Sequence, residues 1–435
     1  MTLRHLFLDL NAYFASCEQQ DDARLRGKPV AVAPIDAPSG CCIAVSYEAK
    51  KFGVKTGMRV GEARTLCPRL VVAHSRPRRY VEIHHEVIAA VETCMPVKSI
   101  HSIDEMSCTL APHERAPDAA AALARRIKKA IFERVGECMR CSIGVAPNVF
   151  LGKTATDMMK PDGLVILQKH ELPQKLFTMQ LRDLCGIGPK MEQRLLKRGI
   201  DTVERLCALS EKELGDIWGG VVGKRWWYLL RGEELRESEP PARKRSIGHQ
   251  HVLAPDKRTD KDAWEIAARL MHKAAARARH TGYWAHRMSL SIRYAGEDLT
   301  WGGRSSWHTA ANFPGGTQDT VSMLESLREM WAGRPPGVPV LVDVTLFELT
   351  SNGSTTIPLF THERQRHEMN RAMDIVNNRY GANTVYLASM HDARTSAPGG
   401  IAFKSIPDLT FSDTVRERQR MSQPAPGPED QPPPK

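Results

Sequence analysis

Phe7, Leu8 and Leu10 form a short apolar run around a single acid, Asp9, and this pattern predicts a buried strand near the start of the chain. Similar runs recur at Val30–Ala33, Cys41–Ser46 and Cys141–Val145, the first two separated by the turn-prone stretch Pro34–Gly40. Ala116–Val135 reads instead as a helix. It is Ala-rich, with Leu123, Ile127 and Ile131 on one face and Arg125, Arg126, Lys128 and Lys129 elsewhere. Strand-like and helical stretches alternate through residues 1–165, an α/β pattern. Residues 166–230 read as all-helical with short loops, and Arg231–Arg245 is a charged, Pro-containing linker without periodicity. Further on, His251–Leu253, Met288–Tyr294 and Val340–Phe347 alternate as half-exposed strands, and Ala263–His280 and Thr317–Trp331 as amphipathic helices. Gln423–Lys435 cannot build a core and is expected to be disordered.

A chain of 435 residues has room for about three or four domains. Its 61 Lys and Arg against 50 Asp and Glu leave a net charge of +11, which suits a polyanionic partner without identifying one. No apolar run approaches the roughly 18 residues of a membrane span and no signal-peptide segment is seen, so a soluble, cytoplasmic protein is expected. All ten cysteines lie between Cys17 and Cys207. Cys138-Met139-Arg140-Cys141 is the only CxxC and has no partner pair at zinc spacing, so reduced thiols packing as small hydrophobes are expected.

The candidate chemistry begins at Asp104 and Glu105, flanked by Ile100 and Ile103, together with Asp9 in the first strand. Ionised carboxylates crowded in a partly dry site repel one another and are stable mainly with a cation between them. Magnesium favours one or two carboxylates completed by substrate phosphates, so the pattern points to phosphoryl transfer. Tyr47 and Lys50 stand three apart on one predicted helical face, where a phenol and an ammonium suit a triphosphate. Leu184-Cys185-Gly186-Ile187-Gly188-Pro189-Lys190, followed by a helical Met191–Arg198, is a helix-hairpin-helix signature. Gly186 and Gly188 let the backbone turn and present N–H groups to a DNA phosphate, a contact blind to base sequence. Trp226-Trp227, spaced with Leu229 and Leu230, reads as core packing and not as a stacking platform.

Phe7–Glu18, Val45–Val54, Ser102–Glu105, Ser142–Lys153 and Asp157–Pro161, taken in order, resemble the motifs of the Y-family translesion DNA polymerases, over about residues 3–410. Residue types fit the polymerase IV branch over most of the length. Asn11 departs from it, because that branch usually carries a second Asp there; Asp9-Leu10-Asn11-Ala12 resembles the polymerase V catalytic subunit instead. The resemblance implies a template-directed, low-fidelity polymerase adding deoxyribonucleotides to a primer 3′-hydroxyl, with Asp9, Asp104, Glu105 and the Leu10 carbonyl holding two Mg2+ ions. It also implies Phe14 as a steric gate against ribonucleotides beside Tyr13, with Tyr47, Lys50 and Lys160 on the triphosphate. Lys50 stands where Arg is commoner, keeping the charge but not the bidentate geometry.

The fold class implied is α+β multidomain, a right hand. Its parts are a ferredoxin-like palm (1–20 and 76–165), small fingers (21–75), a helical thumb (166–230), a linker (231–245), an α/β little finger (246–395) and a C-terminal extension (396–435). DNA contacts are expected at Gly186, Gly188 and Lys190, and at Lys244 and Arg245, with Lys257 and Arg258 close to the same candidate strand. Thr356–Phe360 sits where the family often carries a sliding-clamp motif, but lacks its leading Gln. The partners implied are primer-template DNA and deoxyribonucleoside triphosphates, with the protein a monomer. Two rivals were weighed, a non-catalytic DNA-bound scaffold and a nucleotide cyclase. The first would be expected to lose one of the three acids, and the second has no use for Gly186-Ile187-Gly188.

Overall fold

The computed structural model describes residues 3–235, 246–296, 305–352, 361–381 and 383–391. They divide into two compact units, one ending near Ser238 and the other beginning there. In the first unit the chain runs β1 (His5–Leu10), α1 (Tyr13–Asp21), β2 (Val30–Ala33), β3 (Ala44–Val45), α2 (Tyr47–Lys50), α3 (Val60–Leu66), β4 (Val71–His74) and α4 (Pro77–Glu92). It continues through β5 (Ser99–Ile100), β6 (Glu105–Thr109), α5 (Pro117–Arg134), β7 (Cys141–Ala146), α6 (Val149–Met158) and β8 (Leu164–Ile166). Four short helices close the unit: α7 (Pro189–Leu196), α8 (Val203–Ala208), α9 (Glu211–Trp218) and α10 (Val221–Leu230).

β1 is the centre of a five-stranded sheet ordered β5-β6-β1-β7-β8, antiparallel except for β7 and β8. Its core holds Leu6, Leu8, Ile103, Ile143 and Val145, packed with the apolar faces of α4 and α5. Helix α6 covers the sheet near β1 and β7, and two glycines set how closely it approaches. A Cβ on Gly144 would stand 2.1 Å from the Gly152 carbonyl oxygen. Residues 21–75 fold around a small sheet, β3-β2-β4, with a core of its own that includes Val45, Val54 and Val60. The helices from α7 onward share a core with α6: Phe150 meets Trp226 edge-on at 5.0 Å, and Trp226 stacks on Trp218 at 4.9 Å. Trp226 is therefore a core residue. All ten cysteines are free thiols.

The second unit contains β9 (Ser246–Val252), α11 (Asp260–His280), β10 (Tyr283–Tyr294), β11 (Ser306–Thr317), α12 (Thr320–Ala332), β12 (Pro339–Ser351) and α13 (Thr361–Tyr380). Its antiparallel sheet is ordered β11-β10-β12-β9. α11 and α12 bury Met288, Leu290, Ile292, Val342, Val344 and Leu346 on one face. Ser289, Ser291, Arg293, Asp343 and Thr345 alternate onto the other. Strand β9 is longer than its three-residue forecast, and β11 and α13 are elements that the hydrophobic pattern does not announce. Lys244, Arg245, Thr356–Phe360 and the C-terminal extension lie outside the described residues.

Within α11, His272 has a ring Nε2 sealed from solvent with no hydrogen-bond partner among the described residues. Burial, with Arg269 and Arg279 adding to it, pushes its pKa down to about 3. An unfolded histidine titrates near 6.5, so between roughly pH 6.5 and 3 the unfolded chain takes up a proton that the folded one refuses. Stability is full above that window and falls as the pH drops through it. We expect His272→Leu to lose less thermal stability than wild type between pH 7 and 4; parallel losses would assign the acid sensitivity elsewhere.

Candidate active site

The sheet register brings the acids together. Asp9 on β1 pairs directly opposite Glu105 on β6, and the Leu10 N–H donates to the Asp104 carbonyl at 2.9 Å. Like charges directly opposite on neighbouring strands are destabilising. Asp9 is 5% exposed, so water does little to relieve the pair. Ser102 Oγ donates to Asp104 Oδ1 at 2.5 Å, which fixes that carboxyl in the turn before β6. Burial raises the Asp104 pKa above the usual carboxylate range, and the charges on Asp9 and Glu105 raise it further.

Two lysines on or just after α6 offset this crowding. The Lys153 ammonium is ion-paired to Asp9, lies 2.9 Å from Glu105 Oε1 and 3.5 Å from Asp157 Oδ2. Lys160 Nζ lies 2.9 Å from Asp9 Oδ1 and 2.8 Å from Asp157 Oδ1. Burial works against the Lys153 ammonium, but Asp9 and Asp157 outweigh it and hold its pKa above the lysine range. Lys153 and Asp157 have no role in the sequence reading, although their spacing of four places both on one face of α6.

Tyr47 and Lys50 form the single turn α2, with the ammonium 4.1 Å from the ring centroid. Burial, followed by the nearby Lys160 charge, pushes Lys50 below the lysine range. Burial raises the Tyr47 phenol, with Lys160 opposing and Asp9 adding to the rise. Tyr47 and Lys50 therefore lie within electrostatic reach of the paired Lys160 and Asp9.

Tyr13 and Phe14 open the helix α1. The Tyr13 hydroxyl donates to the Tyr80 carbonyl at 2.6 Å, while the Phe14 ring stacks on the Tyr80 ring at 4.6 Å. Tyr80 in turn donates to Glu18 Oε1 at 2.6 Å, and Arg76 bridges Glu18 and Asp21. Further along the chain, Gly186 has φ +99° and Gly188 caps α7. Nothing would crowd a Cβ at Gly188, and Gly186, Gly188 and Lys190 are all exposed.

Among the described residues no three His, Cys, Asp or Glu side chains form a metal cage by themselves. The donor set still fits divalent cations. Hard carboxylate oxygens of Asp9 and Glu105 already share one cationic group, Lys153, and magnesium sites of this kind are completed by substrate phosphates.

Residues 8–157 match the impB/mucB/samB family, and residues 244–359 match that family's C-terminal domain. The chain is 33% identical over 389 residues to the DNA polymerase IV of Moorella thermoacetica, an alignment covering 88% of this chain and 95% of that protein. It belongs to the Y family of DNA polymerases. The DNA polymerase IV of Pelotomaculum thermopropionicum is 31% identical, over 88% of this chain and 94% of its own. A Y-family polymerase chimera of Dbh and Dpo4 shares the fold, with a TM-score of 0.67, 23% identity, and coverage of 80% of this chain and 100% of its own.

As a Y-family member the protein is a DNA-directed DNA polymerase of translesion synthesis and repair, not a non-catalytic scaffold. It acts on DNA with nucleotides and depends on divalent metal. The right-hand architecture stands with that assignment. No helix among the described residues is long and apolar enough to cross a membrane.

Removing one partner from a buried charge cluster costs about 3–5 kcal/mol. Lys153→Met should therefore lower the unfolding midpoint markedly in a metal-chelating buffer, and added Mg2+ should recover more stability in the variant than in wild type. Equal Mg2+ responses would mean that the ammonium and the metal do not serve the same carboxylates.

Proposed function

We propose that Asp9, Asp104 and Glu105, with the Leu10 carbonyl, hold two Mg2+ ions for nucleotide addition to a primer 3′-hydroxyl. The observation that carries this reading is the register: Asp9 faces Glu105 across neighbouring strands, with a cationic group already shared between them. Bound there, the metals would acidify the primer hydroxyl and stabilise the leaving pyrophosphate, the two-metal arrangement for in-line displacement. The residues around them then have positioning and charge-balancing work. Tyr47, Lys50 and Lys160 converge where a triphosphate would lie, the phenol as donor and the ammoniums as counter-charge. Burial and the neighbouring Lys160 ammonium lower the Lys50 pKa, with Asp9 opposing, and a phosphate bound beside it would oppose both.

Phe14 is the steric gate in this reading. The Tyr13 hydroxyl is committed to the Tyr80 carbonyl, which leaves Phe14 as the aromatic ring to meet the sugar. Gly186, Gly188 and Lys190 would bind a DNA backbone phosphate, and Lys244 and Arg245 would add charge from the little finger. We assign residues 1–20 and 76–165 to the palm, 21–75 to the fingers, 166–230 to the thumb and 246–395 to the little finger. Clamp docking through Thr356–Phe360, a monomeric state and a cytoplasmic, nucleoid-associated location complete the proposal.

Two measurements test the catalytic core. Asp104→Asn or Glu105→Gln should abolish nucleotide addition on a primed template while leaving DNA binding nearly intact, since backbone phosphates held elsewhere carry most of the affinity. A variant keeping even about a tenth of wild-type activity, roughly 1.4 kcal/mol in barrier, would remove that residue from the metal site.

Phe14→Ala should spare the chemistry and collapse sugar selection. The ratio of catalytic efficiencies for a deoxyribonucleotide and its ribonucleotide should fall on the order of a hundredfold, or about 2.7 kcal/mol. If Tyr13→Ala moves that ratio and Phe14→Ala does not, Tyr13 is the gate.

A further inference from the structure

Asn11 lies just past β1 and is 3% exposed. Its side chain reaches partners far along the chain. Oδ1 accepts from the Asp162 N–H at 2.7 Å, and Nδ2 donates to Ser142 Oγ at 3.1 Å. Ser142 Oγ also accepts from the Gly163 N–H at 3.4 Å. The backbone of Asn11 is equally fixed: its N–H donates to the Arg140 carbonyl at 2.8 Å, and Ser16 Oγ donates to its carbonyl at 2.7 Å.

The segment so anchored, Asp162-Gly163, immediately follows Lys160-Pro161. On its outer side Lys128 and Arg140 hold the Asp162 carboxylate at 2.9 and 3.0 Å. Asp162 sits at φ +56°, a conformation that a non-glycine residue keeps only when its surroundings impose it. Gly163 passes so close to Met159 that a Cβ would stand 1.7 Å from its carbonyl oxygen. The loop is gripped from both sides, and the inner grip is Asn11. Two residues before that grip, the Lys160 ammonium is aimed at Asp9 and Asp157.

We propose that Asn11 is a positioning residue for the incoming nucleotide: by anchoring Asp162 and Gly163 it holds Lys160 at the triphosphate site, an inference that rests on the phosphate role given to Lys160 above. Asn11 touches neither metal nor nucleotide in this scheme. It acts through the loop, and the property that matters is the acceptor oxygen, not a charge. That oxygen is equally available from Asp, with the Ser142 hydroxyl turned to donate.

The test is steady-state nucleotide addition on a primed template by wild type, Asn11→Leu, Asn11→Asp, Lys160→Ala and the Asn11→Leu/Lys160→Ala double variant, with amide exchange followed over residues 160–163. Asn11→Leu should raise the nucleotide KM about tenfold, with kcat within about threefold, the pattern of lost ground-state binding. Asn11→Asp should restore the KM. The double variant should be no worse than Lys160→Ala, because both changes break one contact. Additive losses, a fall in kcat at constant KM, or failure of Asp to rescue would each overturn the proposal.

Lys160→Ala with an unchanged KM would overturn the phosphate role itself. Unaltered exchange at residues 162–163 in Asn11→Leu would overturn the anchoring alone. Should Asn11→Leu fail to fold, Ser142→Ala, which cuts one arm of the same grip, should raise the nucleotide KM by a smaller factor, and no rise would sink the idea.

Discussion

Two carboxylates facing each other across adjacent strands are the constraint around which the first unit is built. Asp9 and Glu105 are set by the β1–β6 register at cross-strand distance. At about 5 Å and an effective dielectric near 20, two unit charges repel by roughly 3 kcal/mol, a sizeable fraction of a domain's net stability. Cations must therefore lie within reach, and helix α6 and the turn after it supply them as Lys153 and Lys160. α6 can do so only by lying almost on the strands. That is the physical reason for a glycine in the middle of β7 and another opposite it in α6, since a single methyl at Gly144 would strike the Gly152 carbonyl.

The same helix ties the catalytic sheet to the helices that follow. Asn148 caps α6 with its side-chain oxygen, accepting from the Leu151 N–H at 2.8 Å. Its amide nitrogen donates to the Leu229 and Glu233 carbonyls, each at 3.0 Å. Phe150 carries the contact into the apolar core around Trp226. The end of α10 and the start of α6 are therefore held by one side chain. Charged side chains are held most accurately by rigid elements supported from behind, and here the packing of the helical subdomain provides that support for Lys153.

Strands β1 and β7 are legible in the sequence because they are buried and apolar, whereas β5, β6 and β8 are short and have no such outline; the acids stand out because nothing apolar explains them. α1 is harder. It starts after Ala12 at φ +49°, with no capping side chain to mark its start, so nothing in the sequence announces a helix at Tyr13. β11 includes Ala310, Ala311, Gly315 and Gly316 and lies at the sheet edge, where burial demands little of its composition. α13 is polar along most of its length, so periodicity gives it no outline. Lys153 and Asp157 were open to detection by helical spacing alone. The anchoring by Asn11 was not, because its partner Asp162 is 151 residues away and the contact is to a backbone N–H.

That last point bears on what an amide does at a position where the family resemblance leads one to expect a second acid. The position has two jobs that can be separated: accepting one backbone hydrogen bond, and adding, or not adding, a charge beside Asp9. Asn11 does the first, through Asp162, without the second. A carboxylate there would make the same bond but would bring another negative charge into a cluster already balanced by Lys153 and Lys160. Burying it would raise its own pKa and that of Asp104 together. With the amide, Lys153 and Lys160 are paired, among the described residues, with Asp9, Glu105 and Asp157. The amide thus keeps the loop geometry without adding a formal charge beside Asp9.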